Sequence, residues 1–127
     1  MLKTVLIAED HADIRLMTRF MVESFGYKVV EARDGYEALE EAKECHPDLI
    51  LMDIAMPIMN GITAATLIRK CGSCDDVPIV AVTAYGKEYI DHAGDFGFNE
   101  VVQKPVVMEE MQDLLNQYLE DGNEVPT

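Results

Sequence analysis

The chain alternates short apolar runs with longer amphipathic stretches. Residues 4–8 are apolar after the first and read as a buried strand that stops at Glu9-Asp10. Residues 11–25 carry Ile14, Met17, Phe20 or Met21, and Phe25 at helical spacing, with Gly26 closing the helix. Residues 27–32 alternate more, as a strand nearer a sheet edge does. Asp34 then caps a helix, with Glu37 completing a capping box. That helix turns Ala38, Leu39 and Ala42 inward and ends near Cys45. Pro47 leads into the most apolar strand, Leu49 to Met52, which emerges at Asp53. Pro57 and Asn60-Gly61 punctuate the loop after it.

The second half repeats the pattern. A helix over 61–71 presents Ile62, Ala65 and Ile68, and Gly72 fits the position just past its end. A strand over 79–82 ends in Thr83. A weak helix is expected over 87–96, because Gly86 stands at its entrance and Gly94 inside it costs about 1 kcal/mol relative to alanine. A short strand over 98–103 ends at Lys104-Pro105, and a closing helix over 106–120 carries Val107, Met111, Leu114, Leu115 and Tyr118. Five β-α units in alternation imply one α/β domain: a doubly wound, five-stranded parallel sheet with helices on both faces and right-handed crossovers.

In a parallel sheet the carboxyl ends of the strands share one edge, where such folds bind ligands. That edge collects Glu9, Asp10, Asp53, Thr83 and Lys104. Alone, Asp53 equally suits a strand terminator or helix cap. Together the five have complementary chemistry. Three carboxylates in a small cleft repel one another, and a hard divalent cation with oxygen ligands relieves that repulsion; magnesium fits, since it takes one or two carboxylates and bridges to phosphate. A carboxylate can also accept a phosphoryl group. A lysine ammonium and a threonine hydroxyl would then neutralise or hydrogen-bond the phosphoryl oxygens.

Composition narrows the classes. The 127 residues suit one core, and 49% of them are hydrophobic. A formal net charge of −14 argues against non-specific nucleic-acid binding and against adsorption on anionic membranes. No apolar run approaches a membrane span, and the N-terminus runs straight into a strand without a signal-peptide pattern. Cys45, Cys71 and Cys74 are too few and too odd for a disulfide scaffold; Cys71-Gly-Ser-Cys74 lacks the second pair a zinc site requires and reads as a helix end with its loop. His11, His46 and His92 show no ligand spacing and read as surface residues.

The sequence closely resembles the receiver domain of two-component response regulators. The motifs are Glu9-Asp10, Asp53-Ile-Ala-Met-Pro-Ile-Met-Asn-Gly61, Val82-Thr83-Ala84 and Lys104-Pro105, in order across nearly the whole chain. The resemblance implies a flavodoxin-like strand order 2-1-3-4-5. It assigns Asp53 as phosphoacceptor, Asp10 as direct magnesium ligand, Glu9 as the second acid, the Ala55 carbonyl as a further ligand, Thr83 as switch hydroxyl and Lys104 as phosphate-pairing cation. Manganese is expected to substitute for magnesium, and the Lys104-Pro105 bond to be cis. The donor would be a sensor histidine kinase or a histidine phosphotransfer protein.

The implied function is that of a stand-alone, cytoplasmic response regulator that is not a turnover enzyme, a monomer or weak dimer. Its domain would span 1–121, with a polar tail at 122–127 and no effector domain. Phosphorylation would alter the surface of the fourth helix, fifth strand and fifth helix and so change contacts with a downstream effector protein, not with nucleic acid or membrane.

Two positions depart from the family pattern. Val101 stands where an aromatic switch residue is usual, and the bulky Tyr85, beside the path of hydrolysis, is expected to shield the phosphoryl group. Readings from other classes fit less well. A haloacid-dehalogenase phosphatase needs an Asp where Ala55 stands, a flavodoxin needs a Ser/Thr/Gly-rich loop where Glu9-Asp10-His11 stands, and a module that had lost phosphorylation would not retain the acids, Thr83 and Lys104.

Overall fold

The buried apolar runs form five parallel strands: β1 (Thr4–Ala8), β2 (Lys28–Ala32), β3 (Leu49–Asp53), β4 (Ile79–Thr83) and β5 (Glu100–Gln103). They lie in the order β2-β1-β3-β4-β5. This computed structural model describes residues 2–72, 74, 76–84 and 92–119. Four α-helices connect or follow the strands among those residues: α1 (Ala12–Ser24), α2 (Gly35–Cys45), α3 (Gly61–Lys70) and α4 (Met108–Leu119). The expected weak helix falls partly on 85–91, outside the described residues; its described end is a 3-10 helix, Ala93–Phe96. The tail from 120 onward also lies outside them.

Alternate residues of each strand feed two cores. Leu6, Ala8, Ile50, Met52, Ile79 and Ala81 face α2 and α3. Val5, Ile7, Leu49, Leu51, Val80 and Val102 face α1 and α4. Every residue of β3 is buried, as its unbroken apolar run requires, whereas the edge strand β2 is buried only in part.

Three helical expectations need correction. In α1 only Val22 is fully buried; Met21 and Phe25 are partly covered, while Met17 and Phe20 are 63% and 61% exposed. Apolar residues lie on more than one face of this helix, so periodicity alone did not orient it. In α4 the buried set is Met111, Leu114, Leu115 and Leu119, and Val107 lies exposed before the helix begins. The Glu37 amide donates to the Asp34 carboxylate at 2.8 Å as a cap should, but the Glu37 carboxylate accepts from the Arg33 amide at 2.8 Å, one residue short of a reciprocal box. The Arg33 guanidinium also holds it, at 2.7 Å.

The loop after β3 is fixed by two glycines. A Cβ on Gly61 would overlap the Asp53 carbonyl oxygen, and one on Gly35 the Met59 carbonyl. Their amides donate to Ile54 O at 2.8 Å and Met59 O at 2.9 Å. Between these anchors Ile58 is 84% exposed with φ 71°, a conformation that costs a β-branched residue about 1–2 kcal/mol. At the opposite sheet edge, Arg69 of α3 donates to Gly97 O at 2.7 and 3.0 Å, to Asn99 Oδ1 at 2.9 Å and to Val77 O. Asn99 Oδ1 also accepts from the Ile79 amide at 2.9 Å. None of the three cysteines is in a disulfide, and Cys74 Sγ donates to Ala42 O at 3.2 Å.

Gly61→Ala is expected to lower stability by about 2–3 kcal/mol in urea titrations, because backbone on both sides must move. Gly94→Ala, whose Cβ would meet open space, is expected to gain about 0.4–1 kcal/mol.

Candidate functional site

The strand ends converge as the topology requires. Glu9 follows β1 and is buried, its amide tied to Ala32 O at 3.0 Å. Asp53 is the last residue of β3 and only 4% exposed; Thr83, the last of β4, is fully buried. The Lys104 amide donates to Thr83 O at 2.8 Å, which brings the residue after β5 back over the sheet edge. Its ammonium then stands 2.7 Å from Glu9 Oε1 and 3.2 Å from Asp53 Oδ2. The Lys104-Pro105 peptide is cis. Asp10 is partly buried beside this group, and Ala55 lies exposed two residues beyond Asp53.

One ammonium does not neutralise three carboxylates. Burial and the neighbouring Glu9 charge push the Asp53 carboxyl up to about 6, against the pull of Lys104. Burial also pushes Glu9 upward, but hydrogen bonds from Lys104 and His11 outweigh it and hold Glu9 below the ordinary carboxylate range. Lys104 is drawn down by burial and up by both carboxylates, and the carboxylates win. The two acids thus share one cation unequally: the shorter contact goes to Glu9, and Asp53 carries the cost.

Oxygen atoms of Glu9, Asp10 and Asp53 and a ring nitrogen of His11 lie within 4.8 Å of one another. Asp10 Oδ1 is a buried oxygen without a hydrogen-bond partner. A buried acceptor left open beside two further carboxylates is the donor set a hard divalent cation takes. The residues present therefore fit magnesium.

His11 was not legible as part of this group. Its ring is 64% exposed, as a surface residue's would be, yet Nδ1 lies 3.0 Å from Glu9 Oε2 and 3.4 Å from Asp10 Oδ1. The hydrogen bond to Glu9, then the Asp10 charge, raises its pKa. Adjacency to Glu9-Asp10 was the only available signal, since a single histidine has no spacing to read. Val101 is partly buried against the α2–α3 core, and Tyr85 lies outside the described residues. Beside the acids, Ile14, Met17, Met21, Pro105 and Val106 line an apolar cleft of about 150 Å³ that reaches Asp53 and Lys104.

Comparisons with known proteins agree with this geometry. The family model of the response regulator receiver domain matches residues 5–116. The polar-differentiation response regulator DivK of Brucella ovis is 33% identical over 123 residues, covering 96% of this chain and 100% of that protein. The receiver domain of sensor histidine kinase PA1611 from Pseudomonas aeruginosa, with magnesium coordinated in its active-site cleft, superposes with TM-score 0.87 at 29% identity, covering 95% and 100% of the two chains. The receiver domain of Ssk1 from Saccharomyces cerevisiae, crystallised with the histidine phosphotransfer protein Ypd1, gives TM-score 0.85 at 26% identity over 92% and 88%.

Because the Asp53 carboxyl is raised from 3.8 to about 6, its favourable contribution is complete below pH ~4 and lost as pH rises through ~6. In metal-free protein Asp53→Asn is therefore expected to be more stable than wild type at pH 8, by on the order of 2 kcal/mol. That gain should shrink as pH falls toward ~4, where the native carboxyl is protonated. Urea titrations across that range provide the check.

Proposed function

The chain belongs to the response regulator receiver-domain family, and from that premise we propose that Asp53 accepts a phosphoryl group from a phosphohistidine of a sensor kinase or histidine phosphotransfer protein. The observation that carries this reading is a buried strand-end carboxylate paired at 3.2 Å with Lys104 and flanked by the carboxylates of Glu9 and Asp10, the latter with an unsatisfied oxygen. With its pKa near 6, Asp53 is mostly ionised at neutral pH and available as a nucleophile. A carboxylate oxygen bonds to phosphorus as the phosphorus–nitrogen bond of the donor breaks, and the imidazole leaves.

Each neighbour has a role in that step. Lys104, already between Glu9 and Asp53, pairs with the incoming phosphoryl oxygens. Thr83, at the end of the adjacent strand, offers its hydroxyl to them. Asp10, Asp53 and the Ala55 carbonyl would hold magnesium, with Glu9 acting through water; manganese is the expected substitute. When bound, the cation neutralises charge among the carboxylates and on the phosphoryl group. The phosphoryl group adds roughly 1.5–2 negative charges at an edge that already carries excess acid. Movement of Thr83 and Lys104 toward it would change the surface around residues 87–96, β5 and α4, and through that surface a downstream effector.

The protein is on this reading a stoichiometric phosphoacceptor with slow self-dephosphorylation rather than a turnover enzyme. Its net charge of −14 favours a protein partner over nucleic acid or an anionic membrane. Among the described residues no helix is long and apolar enough to cross a membrane. A cytoplasmic location is part of the proposal, as for a partner of a cytosolic phosphodonor. A monomer or weak dimer is the proposed form. Met17, which lines the apolar cleft, and Phe20, exposed on the same helix, would supply the contact area a phosphodonor protein needs.

Acetyl phosphate with magnesium should label the wild type and leave Asp53→Asn unlabelled, and chelator should abolish labelling; equal labelling of both chains would overturn the assignment. Separately, Met17→Glu with Phe20→Glu should slow transfer from a phosphohistidine protein by roughly tenfold or more while leaving acetyl phosphate labelling within about twofold. Parallel kinetics with the two donors would measure that split.

A further inference from the structure

His11 is the N-cap residue of α1, yet its side chain makes no capping hydrogen bond. The ring instead folds back over the acids. Its amide donates to Glu9 Oε2 at 3.1 Å, and its Nδ1 meets the same oxygen at 3.0 Å. The next nearest partner of Nδ1 is Asp10 Oδ1 at 3.4 Å, the buried oxygen that has no hydrogen bond. In an octahedral shell with bonds of ~2.1 Å, neighbouring donors stand about 3 Å apart and opposite ones about 4.2 Å. The 3.4 Å spacing of Nδ1 from Asp10 Oδ1 is close to that of adjacent corners, and His11, Asp10 and Asp53 each offer a donor atom within 4.8 Å of the others.

We propose that His11 Nδ1 is a ligand of the divalent cation held by Asp10 and Asp53, so that this receiver site takes a nitrogen donor and favours transition-metal ions over magnesium. The proposal rests on the metal site described under the proposed function and concerns which ion occupies it. Imidazole adds little to magnesium, which prefers an all-oxygen shell, but strengthens binding of manganese modestly and of nickel strongly. Coordination expels the Nδ1 proton, which passes to solvent, and frees Glu9 Oε2 from its histidine donor. Lys104 keeps the other Glu9 oxygen, so the second acid remains in place. If the ring served only to position Glu9, a side chain with another N–H donor would do as well. Glutamine is such a side chain and makes the discriminating variant.

The test is calorimetric titration of the full chain with magnesium, manganese and nickel, for wild type, His11→Gln and Asp53→Asn. His11→Gln is expected to weaken nickel binding by roughly tenfold or more and manganese by a few-fold, with magnesium changed by less than about threefold. Electron spin-echo modulation of the manganese complex should show a directly bound nitrogen in wild type and none in His11→Gln. Asp53→Asn should weaken all three ions, placing the nitrogen and the carboxylates in one shell. Equal losses for all three ions in His11→Gln, or no nitrogen coupling in wild type, would overturn the proposal while leaving the magnesium site standing. Nickel binding undiminished in Asp53→Asn would place the histidine in a separate surface site and also overturn it. Failure of wild type to bind magnesium at all would instead overturn the site on which the proposal rests.

Discussion

Crowding of like charge at one sheet edge is the constraint on which the rest of the architecture depends. Glu9, Asp10 and Asp53 share a partly dehydrated crevice with, among the described residues, a single ammonium, at distances where repulsion is not screened away. Isolated, such a cluster would favour local opening. It persists because its members are attached to backbone that cannot easily yield: Glu9 through its amide to β2, Asp53 at the end of a strand buried along its whole length, and the Lys104 cation through its amide to β4. The two apolar cores, one on each face of the sheet, supply the rigidity, and the unrelieved charge is what makes the edge receptive to a cation or an electrophile.

The loop that follows Asp53 extends this logic. Its path is set by two close backbone approaches that exclude any side chain at Gly35 and Gly61, the second of them against the Asp53 carbonyl itself. Ile58 sits in a left-handed conformation between those anchors and projects into solvent. An over-determined loop can sustain such a residue, so this local strain sits in the loop that leaves the acidic edge.

Much of this was readable from residue order. The strands appeared within a residue or two of their bounds because continuous apolar runs in an alternating βα pattern leave little choice, and the acids, Thr83 and Lys104 followed from where those runs stop. What escaped is physically distinct. The orientation of α1 depends on which of several apolar faces meets the sheet, and Met17 and Phe20 are as hydrophobic as Val22. The partner of the Glu37 carboxylate depends on Arg33, a long side chain whose direction no local pattern fixes. The turn of the His11 ring toward the acids is likewise a rotamer choice. Its only trace in sequence is that it adjoins them.

The Arg69 guanidinium bonds to carbonyls on both sides of β4 and to the side chain of Asn99, all at the amino ends of β4 and β5. The carboxyl ends of the same two strands carry Thr83 and lead into Lys104. With a tether at one extremity and chemistry at the other, and with β4 laddered to β3 up to Val82 and to β5 up to Thr83, the strand pair is clamped along its length. Transmission of a signal would therefore run sideways along the rim, into the segments that follow β4 and β5, rather than through the body of the sheet.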